Sequence, residues 1–216
     1  MLSRAAFFSR IAYHGRMGEA LPKRLERRTR QRAANRAAIL DAARQVAARE
    51  GAAALSLRAV AAQAGYAPAS VYEYFRNRAE LVLALASEDL SQIARVLREH
   101  PAEGAGKRAG ALGSAAAAAL ELIAQSGALA AVASTLESAQ APPEAERIFN
   151  GRLIGLLTAL ADSTGRSPLK TREEQVDVVL AAAAIAGLAV LLRAGRLKAL
   201  GFDEKELLAG LDRRFG

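Results

Sequence analysis

Apolar positions recur at helical spacing along nearly the whole chain after residue 33. Between residues 35 and 50, Ile39, Ala43 and Val46 are three or four positions apart, so they share one face of a helix with Ala47. Gly51 follows, a residue type that commonly ends helices. The alternation of apolar and polar positions that marks a strand is missing, and Ala, Leu, Arg and Glu, all good helix formers, dominate. The pattern predicts an all-α protein.

Two short helices follow the first one closely. Ser56 can cap a helix over 56–64, in which Leu57 and Val60 lie on one stripe with two alanines, and Gly65 ends it. The next helix, 68–74, begins at a proline, whose missing N–H is not needed in a first turn. Two short helices joined by a tight glycine-containing turn are typical of a helix-turn-helix.

Longer helices follow. Asn77 and Glu80 form a capping-box pattern at the start of a fourth helix, which carries Leu90, Ile93 and Leu97 on one stripe. Glycines, prolines and polar stretches then divide the remainder into helices. Their predicted ranges are roughly 107–126, 128–140, 144–162, 172–194 and 203–213.

The charge is unevenly distributed along the chain. Residues 1–78 carry 15 Lys and Arg against 5 Asp and Glu, whereas residues 79–216 carry 15 against 17. A basic N-terminal third joined to a near-neutral remainder indicates a module that binds a polyanion. The alternative is a basic surface that only aids solubility.

Composition excludes several classes of chemistry. The chain has no cysteine, which removes disulfides, thiolate metal sites and cysteine nucleophiles. Its two histidines, His14 and His100, are far apart in sequence, which argues against histidine-based zinc sites and triads. We therefore expect no enzyme activity, no metal and no cofactor, and a reducing, cytoplasmic location.

The N-terminus and the most apolar stretch bear on membrane association. Arginines interrupt the apolar run in residues 1–18, so no secretory signal forms, and we predict that residues 1–33 are a basic, disordered extension. Met17 is an alternative start of translation to Met1. The longest apolar run, 178–192, has fifteen residues, fewer than the roughly 18 needed to cross a bilayer. It predicts a buried helix.

The motifs occur in a specific order. The sequence "AAILDAARQVAAREGAAALSLRAVAAQAGYAPASVYEYFRNRAELV" has an "ILDAA" helix, then "REG", a serine opening the second helix, "AVAAQAG", and a "VYEYF" that ends the third. Over about residues 35–82 it resembles the N-terminal domain of the tetracycline-repressor (TetR) family of bacterial transcription regulators. The resemblance implies a DNA-binding domain at 34–80 and a helical ligand-sensing and dimerisation domain at 81–214. It also implies a ligand-responsive repressor that binds a palindromic operator as a homodimer.

The chain departs from the family pattern at a few positions. Tyr66 and Ala67 stand where the family commonly has Val and Ser, and Ala67 cannot cap the third helix, at a cost of about 1 kcal/mol. Ala69 replaces a frequent Gly but is small enough to approach a base edge. Tyr74 replaces a usual His, and Arg78 stands where the family usually has Lys.

Three tyrosines in the helix-turn-helix need an explanation. The resemblance implies that Tyr72 and Tyr74 donate their hydroxyls to DNA phosphates, while Val71 and Phe75 face inward. Tyr66, at the start of the recognition helix, could reach a thymine methyl group. The alternatives are a place in the small core for Tyr72 and simple turn packing for Tyr66.

Arginines complete the predicted interface. Arg58 and Arg78 lie where the family meets the DNA backbone, and the arm "KRLERRTRQR" (23–32) suits a phosphate track or a minor groove. Such runs are also found as solvated, disordered charge. The residues predicted to bind DNA are Arg28, Arg30, Arg32, Arg36, Ser56, Arg58, Tyr66, Pro68, Ala69, Ser70, Tyr72, Tyr74 and Arg78.

The second half predicts an interface and a pocket. The small apolar side chains of 178–192 would allow close helix contact between two protomers. The two-fold symmetry of such a dimer is what a palindromic operator requires. The alternative is the central helix of a monomeric bundle. A pocket would be lined by aliphatic groups and suit a small apolar effector, with Glu121, Gln125 and Glu137 predicted on the surface.

A helical adaptor or membrane-surface protein that uses the basic arm is the alternative function.

Overall fold

The chain is helical throughout the part that a computed structural model describes, residues 4–99, 110–138, 141–164 and 170–215, with side chains from Lys23 onward. No strand is present in these ranges. The helices are α1 (Arg4–Glu50), α2 (Leu57–Ala64), α3 (Pro68–Tyr72), α4 (Arg78–Glu99), α5 (Ala111–Gln125), α6 (Gly127–Glu137), α7 (Pro143–Ser163), α8 (Arg172–Arg193), α9 (Arg196–Ala199) and α10 (Glu204–Phe215), with a 3₁₀ turn at Ala52–Ala54.

Helix α1 is much longer than the sequence pattern predicts. It is continuous from Arg4 to Glu50, so residues 4–33 are helical where a disordered extension was expected, and the expected domain boundary at 33 falls inside the helix. The arm over 23–33 consists largely of Arg, Gln, Ala and Leu, which favour helix. Glu26 and Arg30 add an i,i+4 ion pair of 3.2 Å.

The first core joins α1, α2 and α3. Ile39, Val46 and Val60 are buried in it, as the periodicity predicts, and Val71 and Phe75 attach α3 to the same core. Helix α1 packs on α2, and α2 packs on α3. The three-helix arrangement with a helix-turn-helix is therefore confirmed.

Helix α4 runs through both halves of the molecule. It begins with the predicted cap, because Asn77 Oδ1 accepts the backbone N–H of Glu80 at 2.9 Å, and Glu80 Oε2 accepts the N–H of Arg76 at 2.8 Å. Leu81 to Leu85 belong to the first core, whereas Ile93 and Leu97 belong to the second. Helix α4 packs against α5, α6 and α7.

The second core is built mainly from alanine and leucine on α5, α7, α8 and α10. The predicted helices are observed within a few residues of their expected ends, apart from 107–109 and 139–140, which lie outside the described residues. The short helix α9 lies within 194–201, where a break was expected. Glu121, Gln125 and Glu137 are exposed, as predicted.

Helix α8 is buried on one face only. Val178, Ala181 and Ile185 are buried, while Leu180 and Val190 are 50% and 63% exposed. Within one chain the predicted buried helix is therefore covered on one face, and its other face is exposed. Among the described helices, α8 alone has the length and apolar composition to cross a membrane, and α5 with α6 would pass the same test as a pair bent by 69°.

Candidate nucleic-acid interface

The turn before α3 is fixed by a left-handed glycine. Gly65 has φ 71°, and it ends α2 with two backbone hydrogen bonds, from its own N–H to Ala62 O and from Tyr66 N–H to Ala61 O at 2.9 Å. A side chain at Gly65 would be strained by this φ. Helix α3 then begins at Pro68, and Ala67 makes no side-chain cap, as predicted.

Helix α3 presents one face to solvent. Val71 is fully buried and Phe75 is 2% exposed, whereas Pro68, Ala69 and Tyr72 are exposed. Tyr72 is 51% exposed, so its ring is not a wedge in the core. A short helix that is packed on the core by one face and exposed on the other has the form of a helix that enters a DNA groove.

The Tyr74 side chain joins α3 to α1. It is partly buried, and its hydroxyl oxygen accepts a hydrogen bond from Asn35 Nδ2 at 3.1 Å. The Arg32 guanidinium lies 5.4 Å from the centre of the Tyr74 ring and donates to the Glu73 carbonyl at 3.3 Å. Tyr74 and Arg32 therefore hold each other in place. The hydroxyl retains its own proton for donation.

Tyr66 and Ser70 are half-buried. The Tyr66 ring packs against the first core, as its turn-packing alternative predicts. Ser56 is exposed and acts as the predicted cap of α2, because its Oγ accepts the Ala59 N–H at 3.1 Å.

Arg78 has structural partners that the sequence did not reveal. Its Nε donates to the Leu55 carbonyl at 2.8 Å and its Nη2 to the Ala52 carbonyl at 2.9 Å. These two bonds fasten the start of α4 to the turn between α1 and α2. The partners are more than twenty residues away in sequence, so no local signal indicates them.

The remaining arginines fall into two groups. Arg28, Arg30 and Arg58 are exposed, and Arg30 pairs with Glu26. Arg36 turns toward α4 instead, with Nη1 3.7 Å from Glu88 Oε1 and its guanidinium 5.2 Å from the centre of the Phe75 ring.

The arm and the end of α3 are adjacent. Arg32 contacts Glu73, and Arg28 lies one turn before Arg32 on the same face of α1. Residues 23–36 carry seven Lys and Arg and one Glu, so a concentrated positive charge adjoins the exposed helix. Phosphate oxygens are the chemical groups that such a surface attracts.

In the ranges that the structure describes, no three His, Asp or Glu side chains are grouped closely enough to hold a metal ion. The side chains of His14 and His100 lie outside those ranges.

Comparison with known proteins agrees with the geometry. The family profile described as bacterial regulatory proteins, tetR family, matches residues 39–85. A search of curated proteins gave no match.

Solved structures extend the similarity to the whole fold. A TetR transcriptional regulator from Rhodococcus sp. RHA1 superposes with a TM-score of 0.64 at 18% identity, over 86% of this chain and 97% of that one. A TetR family transcription regulator from Marinobacter aquaeolei VT8 gives 0.54 at 24% identity, over 85% and 96%. The transcriptional regulator FadR from Bacillus subtilis, solved in complex with stearoyl-CoA, gives 0.55 at 22% identity, over 82% and 96%. Residues 39–85 are thus similar to the tetR family of bacterial regulatory proteins, and the described helices have the fold of solved structures of regulators of that family.

Proposed function

We propose that this protein is a transcription regulator that binds a palindromic operator as a homodimer and releases it when a ligand binds, acting as a repressor. The observation that carries the proposal is the solvent-facing surface of α3, with Tyr72 outward and Val71 and Phe75 buried beneath it. Such a helix, beside a basic arm, fits the major groove of B-DNA. We place the protein in the cytoplasm, with no enzyme activity.

Within this proposal the predicted contact residues have different tasks. Tyr72, Arg28 and Arg58 are exposed and would donate to phosphates, while the small side chain of Ala69 would lie close to base edges. Six other predicted residues already have protein partners or cap helices. Arg32, Arg36, Ser56, Tyr66, Tyr74 and Arg78 would therefore position the reading helix, with spare donors on Arg32 and Tyr74 for phosphate.

A second copy of the chain would cover the exposed apolar faces of α7 and α8. Leu180 on α8 is half exposed and Ile154 on α7 is 64% exposed. Gly151, Gly155 and Gly187 have open space where a side chain would be, so another helix can approach closely there. Contiguous exposed apolar surface marks an interface. A two-fold dimer through these helices would place two copies of α3 on two half-sites.

The ligand would bind in the regulatory half. A cavity of about 740 Å³ lies among α4, α5, α6, α7 and α8, within the usual range of about 300–1,000 Å³ for ligand sites. FadR, a structural neighbour, was solved with stearoyl-CoA. We propose that this cavity receives the effector of the present protein.

Two measurements test the proposal. Fragments of the source genome that the protein retains would give an operator, and fluorescence anisotropy would give its affinity over a range of salt concentrations. We expect an inverted repeat and an affinity that falls steeply with salt. If the affinity is the same for random duplexes as for the selected fragments, sequence-specific regulation is contradicted.

Light scattering tests the assembly. We expect the unmodified protein to have the mass of two chains and Leu180→Glu to have the mass of one, because a charge on the shared face would lose its hydration. Ala117→Glu, on the exposed side of α5, is the matched control and should remain a dimer. A single-chain mass for the unmodified protein at micromolar concentration would contradict the dimer.

A further inference from the structure

The cavity in the regulatory half is apolar except at one point. Its walls come from five helices and include Ile93, Leu129, Phe149, Leu156 and Ala182. Every other side chain that lines it is also Ala, Val, Leu or Ile, apart from Arg193 at the end of α8. A ligand that fills this space must therefore have an extended hydrocarbon part, because no polar group meets it along the walls.

Arg193 is an exposed cation at the edge of the cavity, and it makes one long hydrogen bond to the protein. Its Nη1 donates to the Ser126 carbonyl at 3.4 Å, which is long for a hydrogen bond. No Asp or Glu oxygen lies within 4.0 Å of it in the part of the chain that the structure describes. A guanidinium has five N–H donors, so most of its capacity for an acceptor is unused by this contact.

A cation beside an apolar cavity favours one kind of ligand. A carboxylate can take two parallel hydrogen bonds from a guanidinium, which is stronger and more directional than a neutral contact. We propose that the effector is an aliphatic carboxylate, whose chain fills the cavity and whose head group binds Arg193. The inference rests on the proposed function, since it names the ligand class of that regulatory site.

The contact that such a ligand replaces leads toward the DNA-binding domain. Ser126 is the cap of α6, because its Oγ accepts the Leu129 N–H at 3.0 Å. The same Oγ–H donates to Asp89 Oδ2 at 2.6 Å, and Asp89 Oδ1 accepts from Arg44 Nη2 of α1 at 3.2 Å. Arg193, Ser126, Asp89 and Arg44 thus form one chain of hydrogen bonds from the cavity to α1.

The packing at the same place is tight. A Cβ on Gly127 would lie 3.2 Å from the Cβ of Ala47 on α1, so the start of α6 and α1 approach closely at this point. A carboxylate that draws Arg193 away from Ser126 removes a restraint on this first turn of α6. The turn then shifts against α1, and the two reading helices of the dimer lose their common spacing.

Calorimetry with the full-length protein tests the ligand class. Dodecanoate and dodecanol have the same chain and differ in charge, and both are used below the concentration at which they aggregate. We expect dodecanoate to bind at least about tenfold more tightly, the equivalent of a hydrogen bond to a charged group. Arg193→Gln should reduce this ratio to near one without changing dodecanol binding. Arg193→Lys should retain part of the preference, and Arg196→Gln, an exposed arginine outside the cavity lining, should retain all of it.

Operator binding tests the coupling. Dodecanoate should weaken the affinity of the unmodified protein for its selected fragment by about tenfold or more, and it should not do so with Arg193→Gln. Equal affinities for the two probes, a preference that survives Arg193→Gln, or no heat with either probe would overturn the ligand class. Dodecanoate binding with unchanged operator affinity would overturn the coupling. The preference for dodecanoate over dodecanol is measured without DNA. If the protein retains no genomic fragment, the proposed function is contradicted, and the result for the ligand class is not affected.

Discussion

The DNA-binding domain and the regulatory half are held together by different means. In the first, polar side chains fasten helices to one another: Asn35 and Arg32 hold the end of α3, and Arg78 holds the turn before α2. In the second, alanine and leucine surfaces pack without such links over most of their area. The links at Asp212, which accepts the N–H groups of Gly110 and Gly113, are among the exceptions.

The two regions also differ in what they leave exposed. The outer face of α3 and the arm are polar or basic, apart from isolated side chains such as Leu25 and Tyr72. The regulatory half exposes Ile154, Leu180 and Val190 and contains an apolar cavity. The DNA-binding domain, whose apolar groups are covered, can bind DNA without a change in its own packing. A region with uncovered apolar surface has room for another molecule, and the proposed dimer partner and effector would both bind there.

The largest expected effect is a loss of stability, and it is tested by replacing one phenylalanine in each region. Phe75→Ala should lower the free energy of unfolding by about 3–5 kcal/mol, because it leaves a cavity between α3 and α1. Phe202→Ala removes a ring that is 47% exposed, and it should change stability by under about 0.5 kcal/mol. Urea denaturation measures both. Similar losses would mean that the loop before α10 is covered in the assembled protein.

The next effect distinguishes an arginine that stabilises the fold, Arg78, from one that is proposed to contact DNA, Arg58. Arg78→Ala should cost about 1.5–3 kcal/mol of stability, because two carbonyl groups lose a charged donor. Arg58→Ala should leave stability within about 0.5 kcal/mol but reduce the salt dependence of operator binding by about one phosphate contact. Thermal unfolding and anisotropy titrations distinguish the two. If Arg78→Ala is as stable as the unmodified protein, the bonds to Leu55 and Ala52 contribute nothing measurable.

Local signals account for what the sequence predicted well. The start of α3 at Pro68, the cap at Ser56 and the capping box at Asn77 are set by a few neighbouring residues, and each is observed. The buried positions of Val71 and Phe75 follow from the helical period and the family pattern. These features need no knowledge of distant contacts.

Contacts between residues that are far apart in sequence account for the features that the sequence did not predict. The partners of Arg36, Arg78 and Arg193 are far away in sequence, so sequence spacing could not identify them. Residues 178–192 of α8 are apolar on all sides, and periodicity cannot tell which face a partner covers. The arm became helix because its composition favours helix, although its charge density is also typical of disorder.

A smaller effect compares two neighbouring hydroxyls. Tyr72→Phe should leave the unfolding temperature unchanged and weaken operator binding by about 1–2 kcal/mol, the range of a hydrogen bond to a charged group. Tyr74→Phe should instead cost about 1 kcal/mol of stability, because Asn35 loses its acceptor. Each variant serves as the control for the other. Lower stability in Tyr72→Phe with unchanged affinity would assign that hydroxyl to folding.

The smallest effect concerns the cap of α8 in the regulatory half. The backbone N–H of Thr171, and next that of Lys170, donate to Glu174 and lower the pKa of its carboxyl below the usual value. A lowered pKa in the folded state means that the ionised group stabilises the fold above its unfolded pKa, and that this contribution is lost as the pH falls through the folded pKa. Glu174→Gln should therefore unfold at a slightly lower temperature than the unmodified protein at pH 7, and the difference should vanish in acid. Thermal scans of both proteins between pH 7 and pH 3 measure it. A difference that is independent of pH would mean that the charge of Glu174 does not contribute to the stability of this cap.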